Sequence, residues 1–368
     1  MSRNRILFIL HMPPPVHGAA MIGKYIHDSE LINSEFDCQY INLATANGLE
    51  DIGKFKFNKV FSFWKLLRKI RHQVKVFQPN VVYITPNAKG GPFYKDFVVV
   101  MMLKQMGCKV VAHYHNKGVS ARQNRPFDHF LYKRFFRGLK VILLSEMLYP
   151  DIRKYVNRVD VYICPNGIPE RNGEVAKIEK AVNSIPHILF LSNLLIEKGI
   201  LVLLDALKML KERGALFVCD FVGAETAEID TNRFDEEVRN RGLKDLVIYH
   251  GRRYGEEKYQ YLMNADVFVF PTYYNNECFP LVLLEAMQNG LPVVTTNEGG
   301  IPDIVEDGEN GYICEKQNPE DLADRLMLLL KDQSLRIEMG QKGYRRYQEH
   351  FTLQTFEKRL SGILKSVT

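Results

Sequence analysis

Residues 270–294 carry two glutamates, eight positions apart, between two apolar runs. The segment reads FPTYYNNECFPLVLLEAMQNGLPVV, with Glu277 in its first half and Glu285 in its second. Proline suits the first position of a helix and glycine the position after its last, so Pro280 and Gly290 predict a helix between them. Glu277 then lies in the loop before this helix, and Glu285 about a turn and a half inside it.

The start of this predicted helix is a candidate anion site. Its first main-chain N–H groups, around Leu281 and Val282, lack partners within the helix and favour an anion such as a diphosphate. An ionised glutamate on each side accepts hydrogen bonds from hydroxyl groups, at roughly 1.5–3 kcal/mol for a charge-assisted bond. An anion flanked by two polyols is the shape of a nucleotide diphosphate sugar. The alternative is that both glutamates lie on a solvated helix face.

Short apolar runs alternate with helix-length segments along the whole chain. The predicted strands are residues 5–10, 81–85, 110–113, 141–144 and 161–164, then 187–191, 216–222, 246–250, 267–270 and 293–295. This alternation is typical of parallel α/β sheets, and 368 residues suit two domains of about 150. We therefore expect two doubly wound, Rossmann-like domains across a cleft, with residues 168–185 as linker. The first takes residues 1–170 and the C-terminal helix 351–368, and the second takes 171–350.

An ordered series of short motifs accompanies the two glutamates. Downstream stand Glu298-Gly299-Gly300-Ile301-Pro302-Asp303, Asp307-Gly308 and Asn310-Gly311, and upstream stand Glu197-Lys198-Gly199, Phe221-Val222-Gly223, Tyr249-His250-Gly251 and Ala265-Asp266-Val267. With these motifs, residues 187–315 resemble retaining glycosyltransferase family 4, the glycosyl transferases group 1 of bacterial polysaccharide synthesis. The resemblance implies a GT-B fold. It also implies transfer of a hexosyl or N-acetylhexosaminyl group from a nucleotide-diphosphate sugar to a glycan or lipid-linked acceptor, in lipopolysaccharide or capsule synthesis.

The resemblance assigns roles to individual residues of the second half. Glu285 matches the residue that binds the ribose hydroxyls, and Glu277 matches the one that holds the donor sugar. Main-chain groups of Phe279 and Leu281 lie beside Glu277 in this scheme. Lys198 matches the lysine that binds the diphosphate, where a fixed cation stabilises the charge that grows on the leaving oxygen. A surface charge at a helix start is the alternative for Lys198.

Three positions depart from the family pattern. Asn193 stands where the family has an arginine, so one charge partner of the phosphates is missing or comes from elsewhere. Cys278 and Pro280 stand where glycine is common.

The first half contributes a loop and a histidine to the same resemblance. After the first strand, Gly18 keeps the second of two family glycines and His17 replaces the first. His115, near the end of the third predicted strand, matches a family histidine whose imidazole can donate a hydrogen bond to the donor sugar. The alternative for His115 is a structural role, as a polar residue that is hydrogen-bonded beneath the sheet. For His113 this structural role is the preferred interpretation. The role of His17 stays open.

Positive charge is concentrated in the first half of the chain. Residues 1–186 hold 28 Lys and Arg against 14 Asp and Glu, while residues 187–368 hold 21 against 29. Residues 54–75 have eight basic residues, no acid, and interleaved aromatics, and residues 122–140 form a second such stretch. This composition suits the surface of an anionic membrane, with the loop around Phe55 and Phe57 as the better candidate. The alternative is a helix packed on the core, because apolar residues recur at helical spacing: Val60, Trp64, Leu67, Ile70, Val74 and Phe77.

The overall composition and the cysteine content indicate a globular protein. The chain is 46% hydrophobic and 25% charged, as in globular proteins, and its six cysteines include no Cys-x-x-Cys pair. Its apolar runs are too short for a signal peptide or a membrane span, so we expect a cytoplasmic protein, at most at the inner membrane face. No Asp-x-Asp occurs, so we expect neither a metal nor another cofactor, and no nucleic acid partner. Two alternatives stay open: a sugar-nucleotide 2-epimerase on the same fold, and a non-catalytic sugar-nucleotide-binding partner.

Overall fold

The computed structural model describes residues 3–15, 17–43, 57–171 and 183–368, with backbone alone for residues 57–59. The chain divides into two compact units, Met1–Gly167 with Leu353–Thr368, and Ile168–Thr352. In the described ranges, each unit is built on one six-stranded parallel sheet. Most of the predicted linker, residues 172–182, lies outside the described residues.

The sheet of the first unit has the order β2-β1-β3-β4-β5-β6. Its strands are β1 (Arg5–Leu10), β2 (Asp37–Asn42), β3 (Val81–Ile84), β4 (Val110–His113), β5 (Lys140–Leu143) and β6 (Val161–Ile163). Five of these were predicted within one residue at either end. β2 was missed because it is an edge strand of mixed polarity, DCQYIN, in which only Ile41 is fully buried.

In the described part of the first unit, six helices connect these strands. They are α1 (Gly18–Asp28), α2 (Glu30–Glu35), α3 (Phe57–Phe77), α4 (Gly90–Gln105), α5 (Pro126–Phe136) and α6 (Tyr149–Ile152). The connections through α3, α4 and α5 all step in the same direction across the sheet, so their right-handed crossovers place these helices on the same face. α4 contacts both α3 and α5, which confirms that the three form one layer.

The apolar stripe predicted for α3 packs on the core over only part of its length. Ile70, Val74 and Phe77 are buried, whereas Val60 is 49% exposed and Trp64 is 58% exposed. The interpretation of the stripe as a core-packed face is therefore wrong for the N-terminal half of α3.

The second sheet has the order β12-β11-β10-β7-β8-β9. Its strands are β7 (His187–Leu191), β8 (Val218–Val222), β9 (Val247–Tyr249), β10 (Val267–Phe270), β11 (Val293–Thr296) and β12 (Gly311–Cys314). β12 was not predicted, because it is an edge strand of only four residues next to β11 and begins at Gly311, the glycine of an Asn-Gly pair. β8 begins two residues later than predicted, since Leu216 is 70% exposed.

The helices of the second unit are α7 (Ile200–Glu212), α8 (Thr231–Asn240), α9 (Gly255–Asn264), α10 (Leu281–Gln288), α11 (Ile301–Ile304), α12 (Pro319–Lys331) and α13 (Gln333–His350). The last helix, α14 (Leu353–Val367), belongs to the first unit and contacts α2, with Lys365 Nζ 2.8 Å from Glu35 Oε1. In the described part of the chain, none of the helices is long and apolar enough to cross a membrane.

Each strand order contains one point where the direction of winding reverses. It lies between β1 and β3 in the first sheet, and between β7 and β10 in the second. In open α/β sheets, ligands bind outside the carboxyl ends of the strands at such a switch point. Both points are therefore the places to look for a site.

Candidate functional site

The loops after β7 and β10 meet at the switch point of the second sheet. A 3₁₀ turn, Ile196–Lys198, follows β7, and the Tyr273 N–H donates to the carbonyl oxygen of Glu197 at 2.8 Å. This contact brings Lys198 to Glu277, with Lys198 Nζ 2.5 Å from Glu277 Oε2. Their side chains are only 14% and 11% exposed, so the pair is largely shielded from water.

Two glycines allow the close approach of these loops. Gly199 has φ +86°, and a Cβ atom there would lie 2.1 Å from the carbonyl oxygen of Pro271. Gly299 has φ +58°, and its Cβ would lie 2.3 Å from the carbonyl oxygen of Glu277. The Gly300 N–H donates to the carbonyl oxygen of Cys278 at 2.7 Å. The main chain around Glu277 is thus fixed from the side of the Gly-Gly loop.

α10 begins one residue later than predicted, because Pro280 is its N-cap and Leu281 its first residue. The prediction of Pro280 as the first helical residue is therefore wrong by one position. The first bond that closes the helix runs from the Leu283 N–H to the Pro280 carbonyl oxygen, at 3.2 Å. The N–H groups of Leu281 and Val282 have no acceptor within the helix, so Pro280 removes no helical donor.

Glu285 lies inside α10 with its two oxygens in different surroundings. Lys258 on α9 places its Nζ 2.6 Å from Oε1. Oε2 is buried and has no hydrogen-bond partner among the described residues. An ionised carboxylate with one oxygen held and the other free is a ready acceptor for a ligand hydroxyl. Lys258 gave no signal in the sequence, because it is one of several charged residues in an ordinary helical segment.

Three more residues complete the surroundings of this site: Asn193, Phe279 and Lys316. The side chain of Asn193 is exposed. The main-chain carbonyl oxygen of Asn193 accepts a hydrogen bond from the Leu195 N–H at 2.8 Å. Phe279 is 4% exposed and packs edge-on against Phe351, with ring centroids 5.7 Å apart. Lys316 Nζ lies 2.7 Å from Glu298 Oε2. Lys198, Lys258 and Lys316 are each paired with a glutamate, whereas the free N–H groups at the start of α10 have no such counter-charge among the described contacts.

The switch point of the first sheet is lined by histidines. His11 follows β1, and its Nδ1 lies 3.2 Å from the Thr85 hydroxyl at the end of β3. His115 lies two residues beyond β4, and neither of its ring nitrogens, both shielded from water, has a hydrogen-bond partner among the described residues. Sequence analysis missed His11, although its position directly after the first strand was a usable signal.

These histidines are neutral at physiological pH. Burial lowers the pKa of His115 to about 3, with smaller contributions from His11 and His17. Burial also lowers the pKa of His11 to about 4, and Lys95 and His17 add to the effect. A neutral imidazole has one N–H donor and one acceptor nitrogen. His115 can therefore donate a single hydrogen bond to a ligand without presenting a charge.

His17 caps α1, and its Nδ1 accepts from the Ala20 N–H at 3.3 Å. Gly18 is the first residue of α1 and is exposed, and a Cβ there would meet nothing within 4 Å. His113 is fully buried, with its Nδ1 2.5 Å from the Tyr83 hydroxyl. The bonded position beneath the sheet that was expected for His113 is thus confirmed, whereas His115 has no such bond.

Residues 173–346 match the family model described as Glycosyl transferases group 1. An N-acetyl-alpha-D-glucosaminyl L-malate synthase of Bacillus anthracis is 34% identical over 114 residues, 31% of this chain and 29% of that protein. The amylovoran biosynthesis glycosyltransferase AmsK of Erwinia amylovora is 26% identical over 276 residues, 72% of this chain and 65% of its own length. The matched regions therefore span less than two thirds of these relatives.

A solved structure extends the likeness to both units. HepE of Anabaena, in complex with UDP-glucose, matches with a TM-score of 0.71 over 98% of this chain and 99% of its own, at 17% identity. This likeness establishes the fold, which is the α/β GT-B fold predicted from the sequence.

Proposed function

Because residues 173–346 form a Glycosyl transferases group 1 domain on a GT-B fold, we propose that this protein is a retaining glycosyltransferase of cell-surface polysaccharide synthesis. It moves a hexosyl or N-acetylhexosaminyl group from a nucleotide-diphosphate sugar to a glycan or polyprenyl-diphosphate-linked acceptor. One observation carries the proposal: Glu285, with a free buried oxygen, lies on the same short helix whose first N–H groups are open. AmsK, named for polysaccharide biosynthesis, and HepE, solved with UDP-glucose, support it.

Different residues in and around α10 bind the different parts of the donor. Glu285 Oε2 accepts from the ribose hydroxyls, while Lys258 holds Oε1. The N–H groups of Leu281 and Val282 bind the diphosphate, and Glu277 accepts from hydroxyls of the donor sugar. Lys198, paired with Glu277 in the free protein, contacts the diphosphate as well.

The reaction replaces one bond at the anomeric carbon of the donor by another on the same face. The bond from this carbon to the phosphate oxygen breaks, and the nucleoside diphosphate leaves with the bonding electrons. The acceptor hydroxyl oxygen forms the new bond, and its proton passes to the leaving phosphate oxygen. Lys198 and the N–H groups of α10 stabilise the charge that develops on that oxygen. His115 donates a hydrogen bond to the donor sugar.

The proposed reaction uses no metal and no cofactor. Lys198 and the helix N–H groups supply the positive charge that a divalent cation would otherwise provide at the leaving diphosphate. Turnover should therefore persist in excess EDTA, and a loss of activity that Mg²⁺ or Mn²⁺ restores would contradict this part of the proposal.

We place the reaction in the cytoplasm, at the inner face of the membrane, where a lipid-linked acceptor is found. The basic composition of the first unit supports this location. The loop around Phe55 and Phe57, predicted as a membrane contact, lies outside the described residues.

A thermal-shift screen against UDP-, GDP- and ADP-sugars tests donor binding. A ligand at 100 times its Kd adds roughly 2.7 kcal/mol of stability, which raises Tm by several degrees. We expect one nucleotide series to do so, and a weaker response from Glu285→Ala. A protein that responds to none of the three series would contradict the proposal.

Product analysis separates the proposed transfer from the two alternatives. A transferase releases nucleoside diphosphate only with a hydroxyl acceptor, and NMR of the product shows the anomeric configuration of the donor. Isomerisation of the sugar without an acceptor would favour the 2-epimerase. Tight nucleotide binding with neither reaction would favour the non-catalytic partner, to which the exposed Asn193 in place of an arginine points.

A further inference from the structure

The helix layer on one face of the first sheet exposes large aromatic side chains. Phe61 and Trp64 on α3 are 64% and 58% exposed. Phe127 and Phe130 on α5 are 63% and 48% exposed. Single exposed apolar residues are ordinary, but four aromatic side chains on two helices of one layer indicate an interaction surface.

The same helices are basic on their exposed side. Exposed Lys and Arg residues occupy α3 at Lys65, Arg68, Lys69, Arg71 and Lys75, and α5 at Lys133 and Arg134. α3 has no acidic residue, and the acids of α4 and α5, Asp96 and Asp128, are both buried. Among the described side chains of α3, α4 and α5, the solvent-facing charge is thus entirely positive.

Basic and aromatic groups are interleaved on this surface. Lys65 Nζ lies 4.6 Å from the centre of the Phe61 ring, and the Arg134 guanidinium lies 4.0 Å from that of Phe130. Val98 on α4, between the two helices, is 43% exposed. Aromatic rings with cations close beside them suit a lipid interface, where the rings enter the headgroup layer and the cations contact the phosphates.

We propose that this α3–α5 surface docks on an anionic lipid bilayer. Charge complementarity favours this occupant, because each basic residue near an anionic surface contributes attraction and none of the described side chains of α3, α4 and α5 is an exposed acid. The aromatic residues add a component that a purely electrostatic partner would not use. The inference deepens the proposed function, and rests on it only for the idea that the acceptor resides in a membrane.

Trp64 is the single tryptophan of the chain, so the fluorescence of the unmodified protein reports on this contact. Vesicles of phosphatidylglycerol and phosphatidylcholine should shift its emission to the blue and sediment the protein at low salt. Pure phosphatidylcholine vesicles should do neither, and high salt should weaken the binding. No blue shift and no sedimentation with the anionic vesicles would overturn the proposal.

Paired variants test the role of the basic residues. Lys65→Gln with Lys69→Gln should weaken binding to anionic vesicles roughly 25-fold, from about 1 kcal/mol per basic residue. Lys244→Gln with Lys331→Gln removes two exposed lysines of the second unit and should bind like the wild type. Equal binding of both double variants would overturn the proposal. So would a larger Trp64 shift with double-stranded DNA than with anionic vesicles.

The outcome is separable from that of the proposed function. Nucleoside diphosphate release with a water-soluble acceptor should be the same for both double variants, since neither changes the donor site. Vesicle binding without any sugar transfer would support membrane docking by the α3–α5 surface and would contradict the proposed function.

Discussion

At the scale of single residues, the candidate donor site is nearly neutral before a ligand arrives. Lys198 pairs with Glu277, and Lys258 pairs with Glu285. Pairing with a lysine fixes the orientation of each glutamate. The excess of acid in this half of the chain therefore does not prevent anion binding, because the open N–H groups of α10 act locally.

Replacing Lys258 tests whether Glu285 is oriented by its partner. Lys258→Met should raise the Kd for the nucleoside diphosphate about tenfold, because Oε1 loses a charge-assisted bond and the carboxylate can turn. Titration calorimetry measures the effect, with Lys208→Met, on an exposed pair with Glu212, as control. A 2′,3′-dideoxy nucleotide should bind both variants equally, and an equal loss with that ligand would contradict the assignment.

The histidines of the first unit make stability depend on pH. The folded pKa values of His115 and His11, about 3 and about 4, lie below the ordinary value of 6.5. The unfolded chain therefore takes up protons that the folded chain does not, and stability falls as pH falls from about 6.5.

His115→Gln should reduce this dependence by up to about 1.4 kcal/mol per pH unit, the effect of one proton. Urea unfolding midpoints at pH 7 and pH 5 give the slope. His72→Gln changes an exposed histidine of α3 and should keep the wild-type slope. A wild-type slope in His115→Gln would contradict the buried, neutral state of His115.

The sequence and resemblance predicted most of the residues at the second switch point, but not their partners. The family resemblance implied that Lys198 and Glu277 belong to one site, and the structure places them in contact. Their role in donor binding stays a prediction. Lys258 was missed because it becomes notable only through its contact with Glu285, which is distant in sequence. His11 was missed although its position directly after β1 was a usable signal, and the structure places it beside Thr85.

At the scale of elements, fully apolar strands were predictable, whereas β2 and β12, two of the four edge strands in the described ranges, were missed. β3 and β10 are buried along their whole length, so their sequences are continuous apolar runs. β2 and β12 lie at sheet edges, where one side pairs and the other meets solvent, so they lack such runs. The opposite error occurred in α3, where Val60 and Trp64 fit the apolar period but are exposed.

The turn that positions Lys198 depends on Gly199, and a pair of variants can measure how much stability this glycine contributes. Gly308 has φ +81° with open space around it, so Gly308→Ala should cost about 1 kcal/mol from backbone strain alone. Gly199→Ala adds the overlap with the Pro271 carbonyl oxygen and should lower Tm at least twice as much, with loss of turnover. Equal shifts in Tm for the two variants would contradict the described approach of the loops.

At the scale of the whole molecule, the uneven charge of the two halves has separate explanations in the two units. The first unit carries part of its positive excess on α3 and α5, where we propose contact with lipid. The second unit is acidic overall, and we propose that it binds the diphosphate through the free N–H groups at the start of α10. Composition predicted the difference, but only the helix layer located it.

The measurement that tests sugar transfer at this site most directly is acceptor-dependent release of nucleoside diphosphate. It is made with the donor that the thermal-shift screen identifies, on wild type, Lys198→Ala and Lys342→Ala. Lys342 is a matched control, because it pairs with Glu338 at 2.8 Å on α13. We predict release that requires the acceptor, about 10²-fold slower in Lys198→Ala and unchanged in Lys342→Ala. Equal rates in all three proteins, or no release with any donor, would contradict the account.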